Sequence, residues 1–135
     1  MDEKELFCAN LQNLFATFAD TNEEVEVISL ATSDGFSVQS FIRNKHKFDS
    51  DTMSAAASTL YSVSKAVVKQ ILSMQFKSTF IEASEGNVCF VAFTTNQNDY
   101  VLAMAAGKNM NIASLRICIN QLAGEIAKLN SRQVA

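Results

Sequence analysis

The chain has no proline, a single histidine and only three cysteines among 135 residues. Each scarcity closes a class of function. Without proline no proline-rich linker can divide the chain. No internal repeat or low-complexity tract appears either, so residues 1–135 are expected to form one domain. One histidine, His46, builds neither a catalytic dyad nor a multi-histidine metal site. Cys8, Cys89 and Cys118 are far apart and form no C-x-x-C pair. That odd count argues against a disulfide framework and a thiolate zinc site, and each cysteine lies in an apolar stretch, as a buried small hydrophobe does. A net charge of −3 offers no basic field to nucleic acid or to an anionic membrane. No apolar stretch reaches the roughly 18 residues needed to cross a bilayer. The first residues, MDEKELF, lack the basic and apolar regions of a signal peptide, which makes a cytoplasmic protein the expectation. The motifs G-x-x-x-x-G-K, G-x-G-x-x-G, G-x-S-x-G and H-E-x-x-H are all missing. Glu82 and Glu85 are the carboxylates of a strand–turn edge and have no acid–base partner nearby. Basic and aromatic residues do not interleave on any strand, so no single-strand nucleic-acid platform is expected. The expectation is a chain with no catalytic residue, cofactor or metal, which acts by binding.

What is present is apolar patterning. Hydrophobic residues make up 48% of the chain, enough for a real core at this length. Phe7, Leu11, Leu14, Phe15 and Phe18 recur at helical spacing and predict a helix over 2–19, with Asp2, Glu3 and Glu5 suited to its N-terminus. Val25–Thr32 and Phe36–Arg43 read as strands flanking Asp34-Gly35, a strong two-residue hairpin signal. A polar loop over 44–50 leads to a long helix, 51–74, entered through Asp49 or Ser50. Three strands follow, 76–84, 88–95 and 100–106, separated by the turns Glu85-Gly86-Asn87 and Asn96–Asp99. Asn109 or Asn111 caps a last helix over 112–129, whose apolar face is Ile112, Leu115, Ile119, Leu122, Ile126 and Leu129.

The strands differ in a way that orders them. The first, fourth and fifth are apolar on both faces, as strands covered by helices on two sides are. Ser37, Gln39 and Arg43 interrupt the second; Lys77, Ser78 and Glu82 interrupt the third, which marks both as edges. Short turns pair first with second, third with fourth and fourth with fifth. The one arrangement with both edges outside is 2-1-5-4-3. The expected fold is α+β: a three-layer α/β/α sandwich around a five-stranded antiparallel sheet, the middle helix on one face and the terminal helices on the other.

The middle helix carries a surplus. Its apolar residues spread over about half its circumference, whereas a helix resting on a sheet needs a stripe of about 100°. The surplus is either an interface with a second subunit or a deep seat in the monomer core. Ser54, Ser58, Ser62, Lys65 and Lys69 form the opposite, outward row.

Four features in order resemble the roadblock family, the dynein light-chain roadblock type of domain that includes bacterial regulators of Ras-like GTPases. They are Ser33-Asp34-Gly35, the small-residue-rich SAAASTLYSVSKAVVKQI, the turn EASEGNVCFVAF, and the closing MNIASLRICINQLAGEI, with Asn111, Ile112, Leu115 and Arg116 at the start of the final helix. The resemblance spans residues 6 to 129. It implies the same 2-1-5-4-3 sandwich and a homodimer or heterodimer in which middle helices pack together and third strands join two sheets. The dimer candidates are then Ala57, Leu60, Tyr61, Ser64, Val68, Ile71 and Leu72 on the helix, with Phe76, Ser78 and Phe80 of the third strand. Tyr61, Val68 and Leu72 mark one half of the helix face; Leu60, Val63 and Val67 mark the other. The resemblance implies a non-enzymatic regulator of a Ras-like small GTPase. Its partner-binding candidates are the row Ser54, Ser58, Ser62, Lys65 and Lys69, or the basic loop with Arg43, Lys45 and Lys47, where the sequence departs from the family. Two further readings compete with this one: a ligand-sensing domain of the PAS or profilin-like sort, with a cavity between sheet and middle helix, and a scaffold subunit of a motor or endosomal complex.

Overall fold

The computed structural model describes residues 2–44 and 49–134, with 130–134 described by backbone alone. The elements are α1 (Glu3–Thr21), β1 (Val25–Thr32), β2 (Ser37–Ile42), α2 (Ser50–Leu72), β3 (Ser78–Ala83), β4 (Gly86–Thr95), β5 (Asn98–Gly107) and α3 (Ile112–Val134). Their order is the one the apolar patterning predicts. Polar side chains fix where each helix starts. Asp2 accepts the Glu5 N–H at 2.8 Å to open α1. Asp49 opens α2 by accepting the Asp51 N–H at 3.1 Å and the Thr52 hydroxyl at 2.9 Å. Of the two candidate caps for α3, Asn111 does the work, accepting the Ser114 N–H at 2.8 Å. Asn109 instead donates to Glu24 at 3.2 Å. The last helix runs past Leu129 to Val134.

All strand pairs are antiparallel and the order is β2-β1-β5-β4-β3. The strands with apolar residues on both faces are central because a helical layer lies on each side of them. On one face, Phe7, Leu11 and Phe15 of α1 and Leu115, Ile119, Leu122 and Ile126 of α3 pack with Ile28, Leu30, Leu102 and Met104. On the other, α2 sets Ala57, Leu60 and Tyr61 against Val88, Phe90, Val101 and Ala103. The three-layer sandwich is therefore as expected.

The connections differ from the sequence reading in detail. The β1–β2 turn is not a two-residue Asp-Gly turn. Thr32 N–H donates to the Phe36 carbonyl at 2.9 Å and Gly35 N–H to the Thr32 carbonyl at 3.0 Å, which encloses three residues. Gly35 has φ 101°, which glycine tolerates, and the ladder slips so that Leu30 faces Gln39 while Ala31 faces Ser37. The tip is held from two sides: Ser33 N–H donates to the Asp99 carbonyl at 3.1 Å, and the Ser58 hydroxyl donates to the Ser33 carbonyl at 2.8 Å. Between β3 and β4, Gly86 and Asn87 belong to β4 and pair with Ala83 and Glu82, which shortens the expected turn to Ser84-Glu85. Any Cβ at Gly86 would stand 2.6 Å from the Ala106 carbonyl oxygen, a contact no side chain tolerates. The β4–β5 turn is the two residues Asn96 and Gln97, at φ 51° and 64°, closed by the pair Thr95–Asn98.

Candidate functional site

Helical spacing makes faces, and α2 has three. The face on the sheet is built from small residues: Ser54 and Ala57 are fully covered, with Tyr61, Ser64 and Val68 half-buried along the same row. This corrects three expectations. Ser54 is not in an outward row; it is 0% exposed beneath the helix. Ser58 is half-buried and committed to the hairpin tip. Ala57 lies against the sheet and has no surface left to give a second subunit. The physical reason is shared: serine and alanine are short, so they let the helix backbone approach the sheet as closely as an apolar stripe would.

The second face is apolar and open. Val63, Val67, Ile71 and Met74 are 56%, 47%, 74% and 66% exposed, beside half-buried Leu60. The Thr79 hydroxyl of β3 donates to Ser64 Oγ at 2.9 Å, which sets this flank toward β3. β3 is an edge of the sheet, and its exposed Ile81 shares the α2 side because it pairs with Val88. An apolar helix flank and an open strand edge thus adjoin. Of the two halves of the helix, the structure exposes the one marked by Val63 and Val67, whereas Tyr61 and Val68 turn toward the sheet. Leu72 is exposed at the end of the helix. On β3, Phe80 and Ser78 share the α3 side with their partners Cys89 and Val91, and Arg116 stacks over the Phe80 ring at 4.8 Å. Phe76 precedes β3 and meets Tyr61 edge to face, with ring centroids 5.6 Å apart.

The third face carries Ser62, Lys65 and Lys69, all exposed. Beside it opens a groove of about 710 Å³ between the second half of α2, residues 73–76 and the far ends of β4 and β5. Tyr61 and Phe76 line it on the α2 side, Phe93 and Tyr100 border it from the opposite side of the sheet, and Lys65 and Lys69 stand on the helix. Sequence reasoning found the helix residues but missed Phe93, Thr94, Asp99 and Tyr100, which no local signal connects to them.

Arg43 is not a free cation. Its Nε donates to the Val25 carbonyl at 2.9 Å, and its Nη2 donates to those of Ala19 at 3.0 Å and Asn22 at 3.4 Å. It ties the end of β2 to the last turn of α1 and the start of β1 while remaining exposed, so this partner-binding candidate already has a structural task. Lys45 and Lys47 lie outside the described residues. Among the described residues no three His, Cys, Asp or Glu side chains cluster as a metal ion would require. Burial pushes the Cys89 thiol up to about 11 although the Arg116 charge pulls the other way, and burial raises Cys118 as well. No helix among the described residues is long and apolar enough to cross a membrane.

No family model and no curated protein matches the sequence. Solved structures do. MglB of Myxococcus xanthus is 15% identical over 100% of this chain and 95% of that one, with a TM-score of 0.74. A structure of MglB with a tetrameric arrangement is 10% identical over 90% of each chain, with a TM-score of 0.71. A Roadblock/LC7 domain from Streptomyces avermitilis is 19% identical over 76% of this chain and 82% of that one, with a TM-score of 0.64. At these identities the likeness is one of fold, and the fold is of the roadblock type.

Proposed function

On a roadblock-type fold, we propose that this chain is a dimeric interaction module that regulates a Ras-like small GTPase and performs no chemistry itself. One observation carries the reading: the exposed apolar flank of α2 lies beside the open edge of β3. Pairing β3 with its copy across a two-fold axis would satisfy the unpaired backbone groups of that edge and continue the sheet. The same operation brings the two α2 flanks together and covers Val63, Val67 and Ile71. The roadblock resemblance supplies the partner class, since members of that family bind small GTPases or serve as scaffolds. With Ser54 buried and Ser58 bonded to the hairpin tip, the partner-binding row on α2 reduces to Ser62, Lys65 and Lys69. Two such rows on a dimer present four ammonium groups to acidic side chains of a GTPase switch region. Binding there would hold the switch in one conformation, which is regulation by population shift.

The test has two stages. Light scattering of the purified protein should give near twice the 14.8 kDa chain mass, and the double variant Val67→Asp/Ile71→Asp should return the monomer. The dimer, immobilised, should then capture a Ras-like GTPase from lysate of its source cells in a nucleotide-dependent manner. A clean monomer at micromolar concentration refutes the assembly. A dimer that retains no GTPase with either GDP or a non-hydrolysable GTP analogue refutes the regulation and leaves the scaffold role.

A further inference from the structure

The groove opens on the other side of α2 from Val63, Val67 and Ile71, and Met74 borders both surfaces. Its volume of about 710 Å³ falls within the roughly 300–1,000 Å³ of sites that hold small molecules. Its lining is of two kinds. Tyr61 and Phe76 meet edge to face at 5.6 Å and give the space its ring surface, whereas Phe93 and Tyr100 border it from the α1 and α3 side of the sheet, where Tyr100 packs on Phe7. Lys65 and Lys69 are one helical turn apart and both border it. Among the described residues neither lysine has a carboxylate at ion-pair distance, and Lys65 Nζ rests 5.5 Å from the centroid of the Tyr61 ring. Asp99, the one acid in the lining, accepts the Thr94 hydroxyl on one oxygen and keeps its charge. Aromatic surface next to two ammonium groups, against a single carboxylate at the far end, is complementary to a planar molecule with a negative charge.

The strand edge in the groove argues for a compact ligand over an extended peptide. β4 pairs with β3 only as far as Val91, so its last residues project past the end of β3. Ala92 N–H already reaches the Lys77 carbonyl at 3.5 Å, and by alternation only Thr94 directs its backbone groups to the same open edge. One residue of free edge cannot template a strand. We infer that this groove is a binding site for a small aromatic anion, with Lys65 and Lys69 meeting the charge and Tyr61 and Phe76 taking the ring. The inference requires neither the dimer nor the GTPase, so its failure leaves the proposed function standing.

The probe is 8-anilinonaphthalene-1-sulfonate, read by fluorescence and by calorimetry on the full chain. The expected result is saturable binding of one molecule per chain. Lys65→Glu/Lys69→Glu, both at exposed positions, should weaken it by about tenfold or more. N-phenyl-1-naphthylamine, which keeps the rings but lacks the sulfonate, should bind the wild-type protein correspondingly less tightly. Thr94→Trp, at the exposed lip of the groove, should also weaken the sulfonate, while Val67→Asp/Ile71→Asp on the other flank should leave it bound. Non-saturable binding would overturn the inference. So would unchanged affinity in the lysine variant, or loss of binding in the Val67/Ile71 variant, which would place the dye on the open helix flank.

Discussion

Arg43 offers the sharpest separation between a structural and a partner-binding role. Truncation by Arg43→Ala removes two good charge-assisted bonds, to Val25 and Ala19, and a longer one to Asn22. It also removes the guanidinium from 5.4 Å above the Phe41 ring. A hydrogen bond to a charged group contributes about 1.5–3 kcal/mol where it is buried. Arg43 is exposed, and water can replace much of what is lost. The carbonyl at Ala19, in the last turn of α1, nonetheless loses its capping cation. The expected net loss is about 2 kcal/mol. Arg43→Lys should recover about half, because one ammonium cannot span carbonyls on two elements as the planar fork does. The assay is urea denaturation followed by circular dichroism, with all variants at one protein concentration because association contributes to apparent stability. The midpoint should fall with an unchanged slope. A loss of less than about 0.5 kcal/mol, within the range of an ordinary surface substitution, would refute the clamp. If that small loss came with a loss of GTPase capture, Arg43 would belong to the partner-binding surface.

Three other outcomes are expected. The Ser54 hydroxyl is buried without a hydrogen-bond partner, so Ser54→Ala should raise stability by about 1 kcal/mol through relief of desolvation and better helix propensity; a loss in thermal melting would show that the hydroxyl is satisfied. Gln97 holds φ 64° in a tight turn, and Gln97→Gly should stabilise by roughly 0.5–1 kcal/mol, the left-handed strain outweighing glycine's added chain entropy; a lower urea midpoint would refute this. The folded Cys89 thiol ionises near 11 against an ordinary 9.0, so the unfolded chain releases that proton first as pH rises. Its contribution is therefore whole below about 9 and lost between about 9 and 11. The stability gap between wild type and Cys89→Ala should narrow between pH 8 and 10.5, and iodoacetamide at pH 8.5 should label half-buried Cys8 before Cys89 or Cys118, with mass spectrometry reading the order. Equal labelling rates would contradict the burial.

The sequence alone determined the sheet. Val25–Thr32 is apolar on both faces, whereas Ser37, Gln39, Lys77 and Glu82 break the outer strands; that contrast, with short turns between neighbours, leaves one strand order. Helix starts were legible because Asp2, Asp49 and Asn111 act on amides two or three residues away. Distant relations were not legible. Periodicity fixes which residues of α2 share a face but not the rotation of that face toward the sheet. Serine and alanine recur on every side of this helix, so composition could not set the phase; the Ser58–Ser33 and Ser64–Thr79 bonds did, and with them the choice of Val63 and Val67 over Tyr61 and Val68 as the open flank. Arg43 reads in sequence as a loop cation and becomes a clamp only when α1, β1 and β2 meet. The groove joins Lys65 and Lys69 to Phe93 and Tyr100 across some thirty residues of chain, a proximity that only tertiary packing creates because no local interaction links them.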